Sequence, residues 1–244
     1  MPENILYIIL LATGASFVQR TIGFGFGIFI MTALPFLMPS YGEAVTLSGL
    51  LSLTSATVVM LKYFKFVTWK RLLPMVAAFA IFSTIAIYLL DKIEGRAMRI
   101  ILGVMLIAIS LYFSFFKEIL QKIIRPTRSW QLGTGTVSGL MGGLFGMHGP
   151  PVVLYLIVSE PDKDHYMGMI QTYAVITNIT MVIVRSYAGY VTPTVWTTYL
   201  YGLVGLAVGV LAGNWAYSRI PGKIFTYVVY AYICLSGIII FLTA

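Results

Sequence analysis

Two stretches of the chain hold residues whose types and spacing suit the binding of a small anion. The first reads Gln19-Arg20-Thr21-Ile22-Gly23-Phe24-Gly25-Phe26-Gly27, the second Gly142-Gly143-Leu144-Phe145-Gly146-Met147-His148-Gly149-Pro150-Pro151. Glycine puts no Cβ between backbone and ligand, so Gly23, Gly25, Gly27, Gly146 and Gly149 permit a close approach. Arg20 offers a planar fork of donors that fits a carboxylate or sulfonate. His148 has three open readings: it donates to an anion, titrates as a coupling group, or bonds backbone carbonyls as a satisfied core histidine. Gln19 and Gln171 either line such a site or hydrogen-bond between helices, and the second role is the expectation for Asn178. Thr54, Thr57, Thr177 and Thr180 are expected to bond back onto their own helices.

The elements that position these residues follow from composition. Of 244 residues, 59% are hydrophobic and 10% charged, against the roughly 25% charged of soluble domains. That balance excludes an ordinary water-soluble protein and points to an all-α polytopic membrane protein. The net charge of +8 comes from basic residues at the ends of apolar runs, where they meet lipid head groups, so no nucleic-acid partner is implied. Cys234 stands alone, which leaves no disulfide frame, and His148 is too solitary for a metal site, with His165 in an acidic loop. No cofactor is expected. The start Met-Pro-Glu-Asn lacks a basic n-region and reads as the first membrane element instead of a signal peptide.

Runs of about 20 apolar residues, enough for a hydrocarbon core, cover 42–63, 71–90, 98–116, 167–187, 195–217 and 223–241. Two further runs, 5–38 and 130–159, contain the glycine-rich stretches. As one straight helix the first would reach about 51 Å, well over a ~30 Å core, so each is read as two half-helices around a break. Sliding the chain by 123 residues lays Gly23 on Gly146, Thr54 on Thr177 and Lys62 on Arg185. The chain thus divides into repeats 1–122 and 123–244, each one broken element followed by three spans. Corresponding broken helices in two halves mark a transporter site.

Orientation is decided by Lys and Arg in short loops. If each broken element is a re-entrant hairpin, one side holds Lys62, Lys65, Lys70, Arg71, Lys117, Lys122, Arg125, Arg128, Lys163, Arg219 and Lys223. The other side holds Lys92, Arg96, Arg99 and Arg185, a ratio of 11 to 4. If each broken element crosses once, the ratio is 9 to 6. The bias favours two inverted repeats with both termini outside.

Unpaired backbone groups inside lipid are tolerated only where they face protein or a wet cavity, so the breaks imply a polar chamber. A half-helix is expected to start after each break, at about Ile28 and about Pro151, with its unpaired N–H groups and positive dipole end toward the chamber. Two such ends make an anion site. An arginine at mid-membrane costs ~2.5–3.5 kcal/mol or more, so Arg20 needs a partner unless it snorkels to an interface. With Glu43 and Glu118 at span ends and the other acids in loops, no buried carboxylate is expected. That would leave Arg20 for the substrate, and would leave His148 or no coupling ion at all.

Across these two breaks the chain resembles the TauE/SafE sulfite exporter family of anion permeases, and the likeness extends over its length, run order and two-fold repeat. The resemblance implies a carrier of small sulfur-containing anions such as sulfite, thiosulfate or organosulfonates, or related carboxylates, in a prokaryotic inner membrane. No ATP-binding motif is present, so transport would be secondary. Alternatives are an anion channel or carboxylate carrier with the same chamber, an intramembrane enzyme with His148 as base, and a packing subunit of a complex. A homodimer would be compatible with any of these.

Overall fold

The computed structural model describes residues 2–22, 24–90, 92–93, 95–160, 162–217 and 222–243. They form helices, the structure that pairs every backbone group within one segment in an apolar medium. The first broken element consists of α1 (Pro2–Ile22), α2 (Phe26–Ile30) and α3 (Leu34–Leu37); α4 (Tyr41–Tyr63), α5 (Trp69–Leu90) and α6 (Gly95–Leu111) follow. Wide π-type turns at Tyr112–Phe116 carry α6 into α7 (Lys117–Ile123). The second broken element is α8 (Arg128–Phe145) with α9 (Gly149–Ser159), followed by α10 (Lys163–Tyr187), α11 (Pro193–Tyr217) and α12 (Gly222–Thr243). Among the described residues five stretches are long and apolar enough to cross a membrane: Tyr41–Phe66, Trp69–Leu90, Gly95–Phe116, Lys163–Tyr187 and Pro193–Gly213. Large apolar side chains such as Leu73, Ile81, Leu200 and Leu211 are exposed along them, as a lipid-facing surface requires.

Helix boundaries follow local chemistry. Ser40 caps α4 by accepting from the Glu43 N–H, and Asp162 caps α10 by accepting from the Asp164 and His165 N–H groups. Each broken element folds back on itself. Near the start of α8, Gln131 Nε2 donates to the Tyr155 hydroxyl of α9 at 3.0 Å, which makes the two helices an antiparallel hairpin. Likewise Ile5 and Ile8 of α1 share the wall of a 710 Å³ cavity with Phe36, Leu37 and Met38. The returning half of the first hairpin differs from expectation, being two short pieces that begin at Phe26. Pro35 has no N–H to give to Met31 and stands in the first turn of α3, where that donor is not needed, so the break falls just before it. The second returning half begins at Gly149, two residues before Pro151.

The long helices pack in pairs: α1 on α11, α5 on α8, α4 on α10 and α6 on α12. Two seams are lined by glycine at every fourth residue. An added Cβ on Gly135, Gly139 or Gly143 of α8 would collide with the carbonyls of Met75, Phe79 or Ser83 on α5. On α11, Gly205 and Gly209 meet the carbonyls of Ile9 and Thr13 of α1 in the same way. Small residues let backbones approach where lipid offers no hydrophobic drive to associate.

Candidate functional site

The two hairpin tips meet. Gly146 ends α8 in the left-handed region at φ 69°, and Gly25 precedes α2 at φ 101°, conformations that glycine reaches without a Cβ penalty. These turns bring Gly27 so close to the Gly146 carbonyl oxygen that a Cβ on Gly27 could not be accommodated. A small chamber of about 40 Å³ opens at this junction. Its walls include Gln19, Gly25, Gly27, Gly146, His148, Gly149 and Gln171, seven of the nine residues singled out above. Gly23 lies outside the described residues. Arg20 is elsewhere.

Hydrogen-bond supply in the chamber is uneven. In α2 the Phe29 N–H closes onto the Gly25 carbonyl at 2.9 Å, so the N–H groups of Phe26, Gly27 and Ile28 have no acceptor inside the helix. In α9 the second and third residues are Pro150 and Pro151, which carry no N–H, so Gly149 is the single backbone donor of its first three positions. Side chains must therefore supply more of the second tip's contribution. His148 is 7% exposed, and its Nδ1 is buried without a hydrogen-bond partner. The reading of a histidine satisfied by backbone carbonyls thus does not hold for that nitrogen. Its position is set through the main chain: Tyr173 donates to Ser138 Oγ at 2.9 Å, and Ser138 donates to the His148 carbonyl at 2.5 Å. The rings of Phe79 and Tyr173 flank the imidazole. Ser138 and Tyr173 carry no motif signal, because only the fold brings Tyr173 of α10 within hydrogen-bond reach of Ser138 on α8.

Gln19 and Gln171 also line a second cavity of about 210 Å³, together with Arg20, Ser55, Lys62, Tyr63 and Met167. Arg20 therefore faces a vestibule beside the chamber, and its Cβ packs toward Gly213 of α11. One residue along a helix is a turn of about 100°, which separates it from Gln19. Gln19 performs both roles foreseen for it, accepting from Ser55 Oγ at 2.6 Å while lining both cavities. No described residue lining either cavity is acidic, whereas Arg20 and Lys62 line the larger one. The charged side chains that line these cavities are thus cationic.

Elsewhere the buried polar groups divide into expected and unexpected. Asn178 Nδ2 donates to Ser52 Oγ at 3.2 Å, tying α10 to α4, and Thr54, Thr57, Thr177 and Thr180 all bond back onto their own helices. The expectation of no buried carboxylate is wrong. Glu160, 6% exposed, pairs with Arg71 Nη1 at 2.7 Å, and Glu43, 8% exposed, accepts from Thr192 Oγ1 at 2.7 Å. Both sit near span ends in sequence, yet packing against α5 and the turn before α11 removes them from solvent. Arg185 is 1% exposed, donates to the Gly143 carbonyl and lies 5.9 Å from the Tyr190 ring. Among the described residues no group of three or more His, Cys, Asp or Glu could hold a metal ion.

The family model described as Sulfite exporter TauE/SafE matches residues 8–240, a range that includes both hairpin tips and both cavities. No curated protein and no solved structure matches the chain.

Proposed function

The chain belongs to the sulfite exporter TauE/SafE family, a family of membrane transporters, and from that premise we propose that it is a secondary carrier of small sulfur-containing anions. Sulfite, thiosulfate and organosulfonates are the substrates of this reading, and a prokaryotic inner membrane is its site. The observation that carries it is the junction of the two hairpin tips, where Gly27 abuts the Gly146 carbonyl beside a chamber free of described carboxylates. The oxyanion head binds there, to the N–H groups of Phe26, Gly27 and Gly149 and to the side chains of Gln19, His148 and Gln171. Arg20 draws the anion in through the vestibule, which also houses any organic tail. The 40 Å³ chamber exceeds the ~10–15 Å³ that one water requires and is far below the ~300 Å³ of a drug-sized pocket, so the head must be small.

In this reading the halves are inverted repeats with both termini outside. Support comes from the two re-entrant hairpins and from helix pairs that map onto one another when the repeats are exchanged: α1 on α11 with α8 on α5, α4 with α10, α6 with α12. A reporter active only in the cytoplasm, fused after the last residue, should stay silent, and strong activity would overturn the topology. Substrate class is tested by a thermal-shift screen of the purified protein against sulfite, thiosulfate, sulfonates and short carboxylates, since a ligand of the native state raises stability by RT ln(1 + [L]/Kd). Saturable counterflow of the best anion in proteoliposomes separates a carrier from a channel. A screen in which only carboxylates shift the melting temperature would move the substrate class.

A further inference from the structure

We infer that Glu43 is a proton-binding site that couples anion movement to a proton, an inference that rests on the carrier reading above. The carboxylate lies in the first turn of α4 and is 8% exposed. Oε1 accepts from Thr192, while Oε2 is buried and has no hydrogen-bond partner. Two structural roles would account for a glutamate here, and neither fits. With Ser40 as cap, the Ser-x-x-Glu spacing would let the carboxylate reach back to the Ser40 N–H, but its bonded oxygen is committed to Thr192. As a tie between α4 and the turn before α11, an amide would accept from Thr192 equally well without a buried charge. What the acid has and the amide lacks is an oxygen that can take a proton.

The location suits coupling. Two and five residues further along α4, Val45 and Ser48 form the wall behind Gly146, so Glu43 sits about one turn from the hairpin junction on the helix that supports it. The charged and titratable groups around it are few. From α10 comes Arg185, from the turn before α11 comes Tyr190, whose ring fills the space beside Gly42, and from α4 itself comes Tyr41, within reach of the Arg185 charge. α2 and α3 contribute no titratable residue, and on α11 Tyr199 is bonded to Thr54 three turns further along. Protonation at Oε2 takes the proton from a hydronium ion, whose O–H bond breaks as the carboxyl O–H forms and which leaves as water, and Thr192 continues to donate to Oε1. The carboxyl then becomes neutral. A monoanion that moves with this proton crosses as a neutral set.

Glu43→Gln keeps the shape and the Thr192 bond and abolishes titration. Infrared difference spectra of the purified protein recorded on acidification should show a protonated-carboxyl stretch that vanishes in Glu43→Gln and persists in Glu160→Gln. In proteoliposomes an inward proton gradient should drive accumulation of radiolabelled sulfite by the parent and at least tenfold less by Glu43→Gln. Exchange of labelled for unlabelled sulfite should persist in the variant and lose its pH dependence. Gradient-driven accumulation by Glu43→Gln, or a carboxyl band indifferent to the substitution, overturns the assignment. Exchange by the parent without any gradient-driven accumulation overturns coupling while leaving the carrier standing. Absence of exchange with sulfite, thiosulfate and sulfonates alike removes both. A purely structural glutamate predicts that Glu43→Gln loses melting temperature and exchange together, with parental pH dependence in what remains.

Discussion

Gly27→Ala is the sharpest perturbation available at the hairpin junction. The new Cβ would meet the Gly146 carbonyl oxygen, which cannot swing aside: Gly146 is held at φ 69°, its N–H bonds Gly142 at 3.0 Å, and Val45 stands behind it. Extra methylenes in packed sites cost about 1–3 kcal/mol, and a backbone obstacle places this case in the upper part of that range. If the cost falls on the conformation in which the tips touch, about 2–3 kcal/mol converts to a roughly 30- to 150-fold loss of anion affinity. Gly133→Ala is the matched control, because nothing lies within 4 Å of a Cβ there and alanine adds up to ~1 kcal/mol of helix propensity. Titration of the best anion from the screen, by calorimetry and melting temperature, into parent, Gly27→Ala and Gly133→Ala gives the comparison. Affinity and melting temperature of Gly27→Ala at parental values, within twofold and one degree, would refute the idea that contact between the tips makes the site.

Arg20→Ala should slow anion association roughly tenfold at low ionic strength, with Arg20→Lys near the parent, because the charge acts from the vestibule; equal association rates in all three remove Arg20 from the route. His148→Ala should lower affinity about tenfold if the imidazole donates to the anion, on the scale of one hydrogen bond, with an unchanged Kd as the contrary result. Glu160→Gln should cost about 1–2 kcal/mol of stability, below the ~3–5 kcal/mol of a fully buried pair because Arg71 is 41% exposed; melting curves at constant detergent measure it. Hydrogen bonds from the His165 backbone and side chain hold the Asp162 carboxyl below its usual value, so its contribution to the start of α10 is complete above about pH 4 and lost as pH falls through the lowered value. Amide exchange at Asp164 and His165, corrected for intrinsic rate, should therefore lose protection only in that acid window, and a loss already at pH 6 would contradict it.

The long helices were legible because hydropathy and length leave few alternatives in lipid, and spans such as 69–90 and 193–217 differ from expectation by two residues at their starts. The breaks were legible through glycine, and they do meet. What sequence could not supply was the phase of α1 about its axis. Gln19 and Arg20 are adjacent, yet only Gln19 reaches the chamber while Arg20 is confined to the vestibule, a choice made by α11, whose Gly213 lies against the Arg20 side chain. Glu43 and Glu160 were misjudged for a related reason, since proximity to a span end says nothing about which helix covers it. The sequence does carry the seams: Gly135, Gly139 and Gly143, and again Gly205, Gly209 and Gly213, repeat at every fourth residue, the spacing of a helix contact face.

Those two glycine seams join helices from opposite halves of the chain, α8 to α5 and α11 to α1. Each half therefore carries an interface completed only by the other. Severed between residues 122 and 123, the first piece would present the bare α5 carbonyl ridge and the second two empty glycine furrows, with no filler but lipid. Neither half of the chain is thus a unit of assembly by itself.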